Sequence, residues 1–164
     1  MGTNCGVVAF FSATGATERI ADLIAEVVGV DVYRITPAQP YTSADLDWQN
    51  PRSRSSLENA DPASRPPLAG PALDMTAYDT LFLGYPIWWG QAPKAALTFL
   101  ESHDFGGKTV VPFCTSGSSP VGASDTDLHT LTDGSTTWTP GIRFPSGASA
   151  ASVGRWIDGL GLPA

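Results

Sequence analysis

The sequence predicts a three-layer α/β fold built around a parallel β-sheet. Short apolar runs, as expected for strands that are buried on both faces, recur along the chain. Segments with apolar residues at helical spacing separate these runs, and glycine, proline or hydroxyl residues mark the boundaries. Because strands and helices alternate, we expect parallel strands joined by right-handed crossovers.

The first strand and the first helix come from the stretch between Val7 and Ala21. A short apolar run there ends in hydroxyl residues and a glycine before a helical pattern begins. The helix is predicted over Thr17–Val28, where apolar residues recur at helical spacing, and Gly29 stands where a C-terminal cap belongs.

The later elements show the same patterns. The further predicted strands are Asp31–Ile35, Thr80–Gly84, Val110–Cys114 and Thr136–Phe144, the last interrupted by Pro140 and Gly141. The further predicted helices are Pro93–His103, a less regular one at Leu128–Asp133, and Ser149–Leu160.

The segment Thr36–Ala77, hereafter the insert, is too long for an ordinary connection. It is dense in proline, serine, aspartate and arginine, and structureless loops of this length are uncommon in compact domains. Tyr41 and Trp48 give it apolar area to bury, and Ser55–Glu58 has a helix-capping pattern. We therefore expect an ordered flap that contains one short helix.

Composition limits the class of protein. The 164 residues are 42% hydrophobic, which suits one domain over residues 1–164. The formal net charge of -7 argues against a nucleic-acid partner, and no apolar stretch is long enough to span a membrane. Cys5 and Cys114 lack paired or metal-ligand spacing, which favours a reducing, cytoplasmic setting without a metal site. His103 and His129 are expected on solvated helix faces.

The loop before the first helix has the composition of a phosphate site. Ser12, Thr14 and Thr17 offer hydroxyl donors, and Gly15 lets the backbone approach a ligand closely. The helix start adds unpaired N–H groups and the positive end of the helix dipole. The chain has no G-x-x-x-x-G-K-[ST] motif, and this loop is not G-x-G-x-x-G. An ordinary capped helix without a ligand is the alternative interpretation at this point.

Two further loops should meet the first one at the carboxyl edge of the sheet, where open parallel sheets bind ligands. The loop at Tyr85–Gly90 presents two adjacent tryptophans, and the loop at Thr115–Gly122 offers hydroxyls and flexible backbone amides. A phosphorylated aromatic cofactor would use all three loops.

These loops resemble those of the flavodoxin family, in particular a branch with G-Y-P-I-W-W after the third strand and F-C-T-S-G after the fourth. The resemblance covers nearly the whole chain and includes D-L-D-W at Asp45–Trp48, S-R-S at Ser53–Ser55, Glu58, and Arg65 with Pro66. It implies a flavodoxin-like three-layer sandwich, with a five-stranded parallel sheet in the order 2-1-3-4-5 and one non-covalent FMN.

The resemblance also implies which residues contact the cofactor. The first loop would wrap the FMN phosphate, the second would line the isoalloxazine ring, and the third would contact the pyrimidine edge of the ring. The implied residues are Ser12, Ala13, Thr14, Gly15, Ala16, Thr17, Pro86, Ile87, Trp88, Trp89, Gly90, Thr115, Ser116, Gly117 and Ser118. Gly90 is the candidate for a peptide that reorients when the ring is reduced.

Two positions depart from the family pattern. The third loop has no aromatic residue to cover the second face of the ring. Either the insert covers that face, through Trp48 or Tyr41, or a substrate stacks there. Ala16 stands where related loops often carry Asn or Lys, which affects the expected affinity rather than the identity of the cofactor.

Three functions are compatible with these patterns, and none of them assigns a catalytic residue. The favoured one is an FMN protein that carries electrons between redox partners, its acidic surface steering a basic protein. The second is an FMN-dependent NAD(P)H oxidoreductase of the quinone reductase type, which would take a small aromatic or quinone substrate. The third is a flavin-free module that binds a partner through Trp88 and Trp89.

Overall fold

A parallel sheet forms the centre of the structure, a computed structural model that describes residues 6–116, 120–122 and 124–161. Its strands are β1 (Gly6–Phe10), β2 (Asp31–Arg34), β3 (Thr80–Pro86), β4 (Thr109–Thr115), β5 (Thr137–Trp138) and β6 (Ile142–Phe144). They lie in the order β2-β1-β3-β4-β5, and β6 also pairs with β4. β5 and β6 are two halves of the predicted last strand, which breaks around Pro140 and Gly141, so the predicted order is confirmed.

The helices agree with the predicted positions except at one segment. They are α1 (Ala16–Val28), α2 (Arg54–Ala60), α3 (Lys94–Glu101) and α4 (Ala150–Leu160), with 3₁₀ turns at Met75–Ala77 and Thr126–Leu131. The predicted helix at Leu128–Asp133 is thus a 3₁₀ segment that begins and ends earlier. Its two leucines, Leu128 and Leu131, are three residues apart, which matches the three-residue turn of a 3₁₀ helix.

Each face of the sheet carries its own hydrophobic core. Along β1, Val7 and Ala9 point into one cluster, while Val8 and Phe10 point into the other. The first cluster is completed by α3, and the second by α1 and α4. This alternation of side chains across a strand produces the predicted three layers.

The insert contains the expected short helix, α2, but its cap differs from the prediction. Ser53, not Ser55, is the N-cap, and its side chain accepts a hydrogen bond from the Ser56 N–H. Glu58 does not close a capping box, because it pairs instead with Arg54, whose Nε lies 3.0 Å from the Glu58 carboxylate. The capping signal was therefore displaced by two residues.

The insert is attached to itself and to α3. Its ends are joined by backbone hydrogen bonds from Ala38 N–H to the Pro67 carbonyl (2.8 Å) and from Ala69 N–H to the Thr36 carbonyl (2.7 Å). The Arg65 guanidinium pairs with the carboxylate of Glu101, at the end of α3, at 2.8 Å. These contacts join the two ends of the insert and attach it to α3.

The helices of the described residues are all short. The longest, α1, has 13 residues, and none combines the length and apolar character that a membrane crossing requires.

Candidate functional site

The carboxyl ends of β1, β3 and β4 bring the first residues of the three predicted loops together. The Ile87 N–H donates to the Thr115 carbonyl at 3.1 Å, which ties the second loop to the end of β4. The hydroxyls of Thr17 and Thr115 lie 2.7 Å apart and are buried, which ties the start of α1 to the same strand. Neighbouring strands in the sheet thus place loops that are distant in sequence at one edge.

The first loop turns sharply into α1. Gly15 is the N-cap and has φ +100°, and among the described residues no side-chain capping hydrogen bond is made at this helix start. The Ser12 hydroxyl oxygen accepts a hydrogen bond from the Gly15 N–H at 3.0 Å and so holds the loop closed. Because the first turn of a helix has no intrahelical acceptors for its N–H groups, this end of α1 is suited to an anion.

Arg19, one turn into α1, does not belong to this anion-binding end. Its guanidinium donates to the carbonyls of Ser146 (2.7 Å) and Ala148 (2.8 Å), so it holds the segment before α4 against α1. The positive potential at the loop therefore comes from backbone N–H groups and the helix dipole.

The second loop is a tight turn around the two tryptophans. The Trp88 N–H donates to the Gln91 carbonyl at 2.9 Å, and the Gln91 N–H donates to the Trp88 carbonyl at 3.0 Å. Trp89 and Gly90 both have positive φ, 51° and 75°, as in a type I′ turn. For a tryptophan this backbone conformation is unfavourable by roughly 1–2 kcal/mol, so the turn holds Trp89 in a strained position.

A cavity of about 430 Å³ lies between these loops and the insert. Its lining residues are Ala13, Thr14, Thr17, Leu46, Trp48, Ser55, Pro86, Ile87, Trp88 and Trp89. The volume falls within the usual range of about 300–1,000 Å³ for small-molecule sites. The first and second predicted loops therefore share one cavity.

The other predicted site residues surround this cavity or lie outside the described residues. Ser12, Gly15, Ala16 and Gly90 belong to the lining loops without lining the cavity, and Thr115 contacts the lining residue Thr17. Ser116 follows β4, and its backbone N–H donates to the Phe144 carbonyl at 3.3 Å. Gly117 and Ser118 lie outside the described residues.

The insert supplies one wall of the cavity, through Leu46, Trp48 and Ser55. Trp48 is 67% exposed, whereas Ser55 is only 2% exposed and its hydroxyl has no hydrogen-bond partner among the described residues. From the sequence, Trp48 is one of two residues expected to cover a ring, whereas Leu46 and Ser55 are not assigned to the site. The D-L-D-W and S-R-S motifs contain Leu46 and Ser55 and resemble motifs of the family, but a motif alone does not show that these side chains line a cavity.

Tyr41 supports the site from behind rather than lining it. Its ring packs edge-on against Trp88 and Phe11, with ring centroids 5.6 Å apart in each pair. Its hydroxyl donates to the Glu58 carboxylate, and the Arg54 guanidinium lies 3.8 Å above its ring. Burial is the main cause that raises the pKa of Tyr41, and the hydrogen bond to Glu58 is the next. The phenol therefore stays protonated and keeps its contacts with Glu58 and Trp88.

Cys114, near the end of β4, is a core residue. It is fully buried, and burial raises the pKa of its thiol to about 12, with the Asp125 carboxylate adding to the effect. The thiol is therefore not a nucleophile at neutral pH.

Both histidines lie away from the cavity and are packed, not solvated as predicted. The His103 ring stacks on Phe99 with 4.5 Å between ring centroids, and the His129 ring stacks on Trp138 at 4.6 Å. Phe99 lies one helical turn before His103, but the Leu73 N–H also donates to His103 Nε2 at 3.1 Å, and Trp138 reaches His129 from β5. Helix-face periodicity does not reveal these last two contacts. Within the described ranges, no group of three or more metal-ligating side chains is assembled.

Comparison with known proteins places this α/β chain in a known family. Residues 6–160 match the sequence profile of the family described as Flavodoxin, and the chain belongs to that family. No curated protein matches the chain.

Two solved structures from Bacteroides species are similar throughout. A provisionally assigned flavoprotein from Bacteroides eggerthii is 46% identical, with a TM-score of 0.89 over 96% of this chain and 98% of that one. A second provisionally assigned flavoprotein, from Bacteroides uniformis, is also 46% identical, with a TM-score of 0.90 over 94% and 98% of the chains.

A third solved structure shares the fold at low identity. It is a flavoprotein from Lactobacillus acidophilus in complex with FMN, 15% identical, with a TM-score of 0.64 over 94% of this chain and 99% of that one.

Proposed function

We propose that this protein binds FMN in the cavity at the carboxyl edge of the sheet and carries electrons between redox partners. The observation that supports this proposal best is that one cavity of about 430 Å³ joins the start of α1 to the tryptophan turn. An anion-binding end and an aromatic end in one cavity match the two ends of a flavin mononucleotide. The fold itself accommodates this cofactor, since the Lactobacillus acidophilus flavoprotein holds FMN.

The loop at 12–17 would hold the phosphate. Thr14 is exposed and lines the cavity, and the N–H groups at the start of α1 lack intrahelical acceptors. Hydrogen bonds to a charged group contribute roughly 1.5–3 kcal/mol each, so a few such donors hold a phosphate without a lysine. Related loops often carry a longer polar side chain at the position of Ala16. Because alanine has no donor, the phosphate would be bound here by hydroxyl and backbone N–H groups.

The loop at 86–90 would hold the ring, and FMN bound there would supply reversible electron transfer. Trp88 is fixed by Phe11 and Tyr41, while Trp89 is 44% exposed beside it. Trp48 lines the cavity from the insert and is our candidate for covering the second face of the ring. The peptide between Trp89 and Gly90 is our candidate for presenting its carbonyl to the reduced ring, because glycine tolerates both peptide orientations.

The acidic composition supports an electron carrier. A formal net charge of -7 steers a basic redox partner toward the protein and repels nucleic acid. Because Trp89 is 44% exposed, one side of the proposed flavin site would be open to a partner.

A second candidate function is an FMN-dependent NAD(P)H oxidoreductase. The exposure of Trp48 and Trp89 on the same cavity favours it, because two accessible indole rings could receive an aromatic nicotinamide or quinone.

Anaerobic titration of the FMN-loaded protein with dithionite tests these functions. We expect the apoprotein to become yellow with FMN and to be reduced in two separable one-electron steps. Rapid bleaching by NADPH with quinone turnover would instead identify the oxidoreductase. If the protein is incubated with FMN and is colourless after unbound FMN has been removed, both functions are contradicted and the flavin-free partner module is favoured.

A further inference from the structure

One buried hydroxyl on the cavity wall has no partner within the described residues. Ser55 is 2% exposed, it lines the cavity, and its Oγ makes no hydrogen bond to any described residue. Buried hydroxyls are almost always paired, because an unpaired one has lost its water without replacement. In the part of the chain that the structure describes, two other buried polar side-chain atoms also have no partner, and these atoms, His129 Nε2 and Thr139 Oγ1, belong to residues that do not line this cavity.

The backbone holds Ser55 in this position. The Ser55 N–H donates to the Asp45 carbonyl at 3.0 Å, and Ser53 and Ser56 bond to each other beside it. A serine in a helix commonly satisfies its hydroxyl on a carbonyl one turn earlier, which Ser55 does not do. The hydroxyl therefore has hydrogen-bonding capacity that a ligand in the cavity can use.

The charges around Ser55 indicate which part of a ligand it suits. Asp45 and Glu58 provide two carboxylates on the same segment, and Arg54 is the cation paired with both. The other insert residues on this wall, Leu46 and Trp48, are apolar or aromatic. A wall with this composition disfavours a phosphate dianion and suits a neutral, partly aromatic group.

We propose that the Ser55 hydroxyl is a ligand-binding group that hydrogen-bonds the ring or ribityl part of the bound flavin. This inference rests on the proposed FMN site and adds the insert to it as a binding wall. The insert is then part of the site itself, with one polar contact at Ser55 and aromatic cover at Trp48.

Binding of FMN and of riboflavin to the apoprotein, followed by flavin fluorescence, tests the proposal. We expect Ser55→Ala to weaken both flavins about 3- to 10-fold and to the same extent, since the contact lies on the part they share. The melting temperature of the apoprotein should stay the same or rise, because the substitution removes no hydrogen bond within the described protein.

Ser152→Ala is the matched control. Ser152 is also in the first turn of a helix, but its hydroxyl donates to the Ser149 carbonyl at 2.8 Å and lies on α4. Its flavin affinities should equal those of the unmodified protein.

The outcomes separate this inference from the proposed function. Absence of FMN binding by the unmodified protein would overturn the proposed function and this inference with it. If that protein binds FMN and Ser55→Ala binds equally well, this inference alone is overturned, and water is the partner of the hydroxyl. A loss confined to FMN would also overturn it, because it would place the hydroxyl at the phosphate.

Discussion

Thr14 and Thr17 carry the same hydroxyl in the same loop, but their surroundings give them different roles. Thr14 is exposed and lines the cavity, so its hydroxyl is free to reach a ligand. Thr17 is 1% exposed, and its hydroxyl is already bonded to Thr115. Thr14 is therefore our candidate for binding the phosphate of the proposed cofactor, and Thr17 joins α1 to β4.

Thr14→Ala should weaken FMN at least about tenfold and leave riboflavin affinity unchanged, because only FMN carries the phosphate that this hydroxyl would contact. Titration calorimetry or flavin fluorescence measures both affinities. An equal loss for the two flavins would contradict the assignment of this loop to the phosphate.

Thr17→Val provides the comparison at the neighbouring hydroxyl. It should lower the free energy of unfolding by about 1–3 kcal/mol, because it leaves the buried Thr115 hydroxyl without its partner. Urea denaturation of the apoprotein measures this change.

At the scale of elements, the centre of the sheet is packed without spare space. Gly84 in β3 lies beside Phe113 in β4, and a Cβ at Gly84 would lie 2.2 Å from Cζ of that ring. Phe113 is fully buried, so it has no room to withdraw.

Gly84→Ala should therefore lower the free energy of unfolding by about 3 kcal/mol, the upper end of what overpacking usually costs. Gly154→Ala in α4 is the matched control. Nothing lies within 4 Å of a Cβ there, and alanine favours a helix over glycine by about 1 kcal/mol, so this variant should be more stable. Urea unfolding curves measure the free energy of unfolding of both variants. If Gly84→Ala leaves this free energy unchanged, the sheet relaxes around the methyl group.

Besides α2 and the backbone hydrogen bonds at its ends, the insert has a side-chain network that joins it to the tryptophan turn. Tyr41 joins Trp88 to Glu58 and Arg54, and these contacts connect the turn at the cavity to α2.

Tyr41→Phe keeps the ring packing but removes the hydroxyl that donates to Glu58. We expect a loss of about 1 kcal/mol, confined to the insert, because Glu58 keeps its pair with Arg54. Hydrogen exchange should quicken in α2 and leave β1 and β3 unchanged. Faster exchange throughout the sheet would show that the insert and the core unfold together.

At the scale of the whole molecule, the groups that burial keeps protonated make stability depend on pH. The pKa of Cys114 is raised to about 12, above its ordinary value, and burial also raises the pKa of Tyr41 and Tyr85. The folded state holds these protons more tightly than the unfolded chain does. Their contribution is complete below the ordinary thiol pKa and decreases as the pH rises.

The free energy of unfolding should fall from about pH 9 toward pH 12, with the thiol titrating in the unfolded chain before the tyrosines do. Cys114→Ala should flatten the part of this decline that begins near pH 9, whatever its effect at pH 7. Urea midpoints measured across this range for both proteins test it. Identical slopes would show that the thiol is not protected by burial.

Periodic segments were predictable because their patterns are local. β3 and β4 are apolar runs buried on both faces, and α1 has an apolar stripe that packs on the sheet. The spacing of apolar residues along the chain was therefore sufficient to predict these elements. The break in the last strand followed from Pro140 and Gly141, which interrupt strand pairing. Local spacing predicted the wrong environment for His103, which accepts a hydrogen bond from the Leu73 N–H of the insert, and for His129, which stacks on Trp138 of β5.

By itself, the sequence determined the layer architecture, the order of elements and the two loops that line the cavity, because hydrophobic period and turn chemistry depend on adjacent residues. Only the tertiary structure decided that Ser55 and Trp48 face the same cavity, that Tyr41 braces Trp88, and that Thr17 bonds to Thr115. The insert has no repeating pattern that sets its direction. Its placement follows from contacts between residues far apart in the chain, which exist only once the sheet has formed.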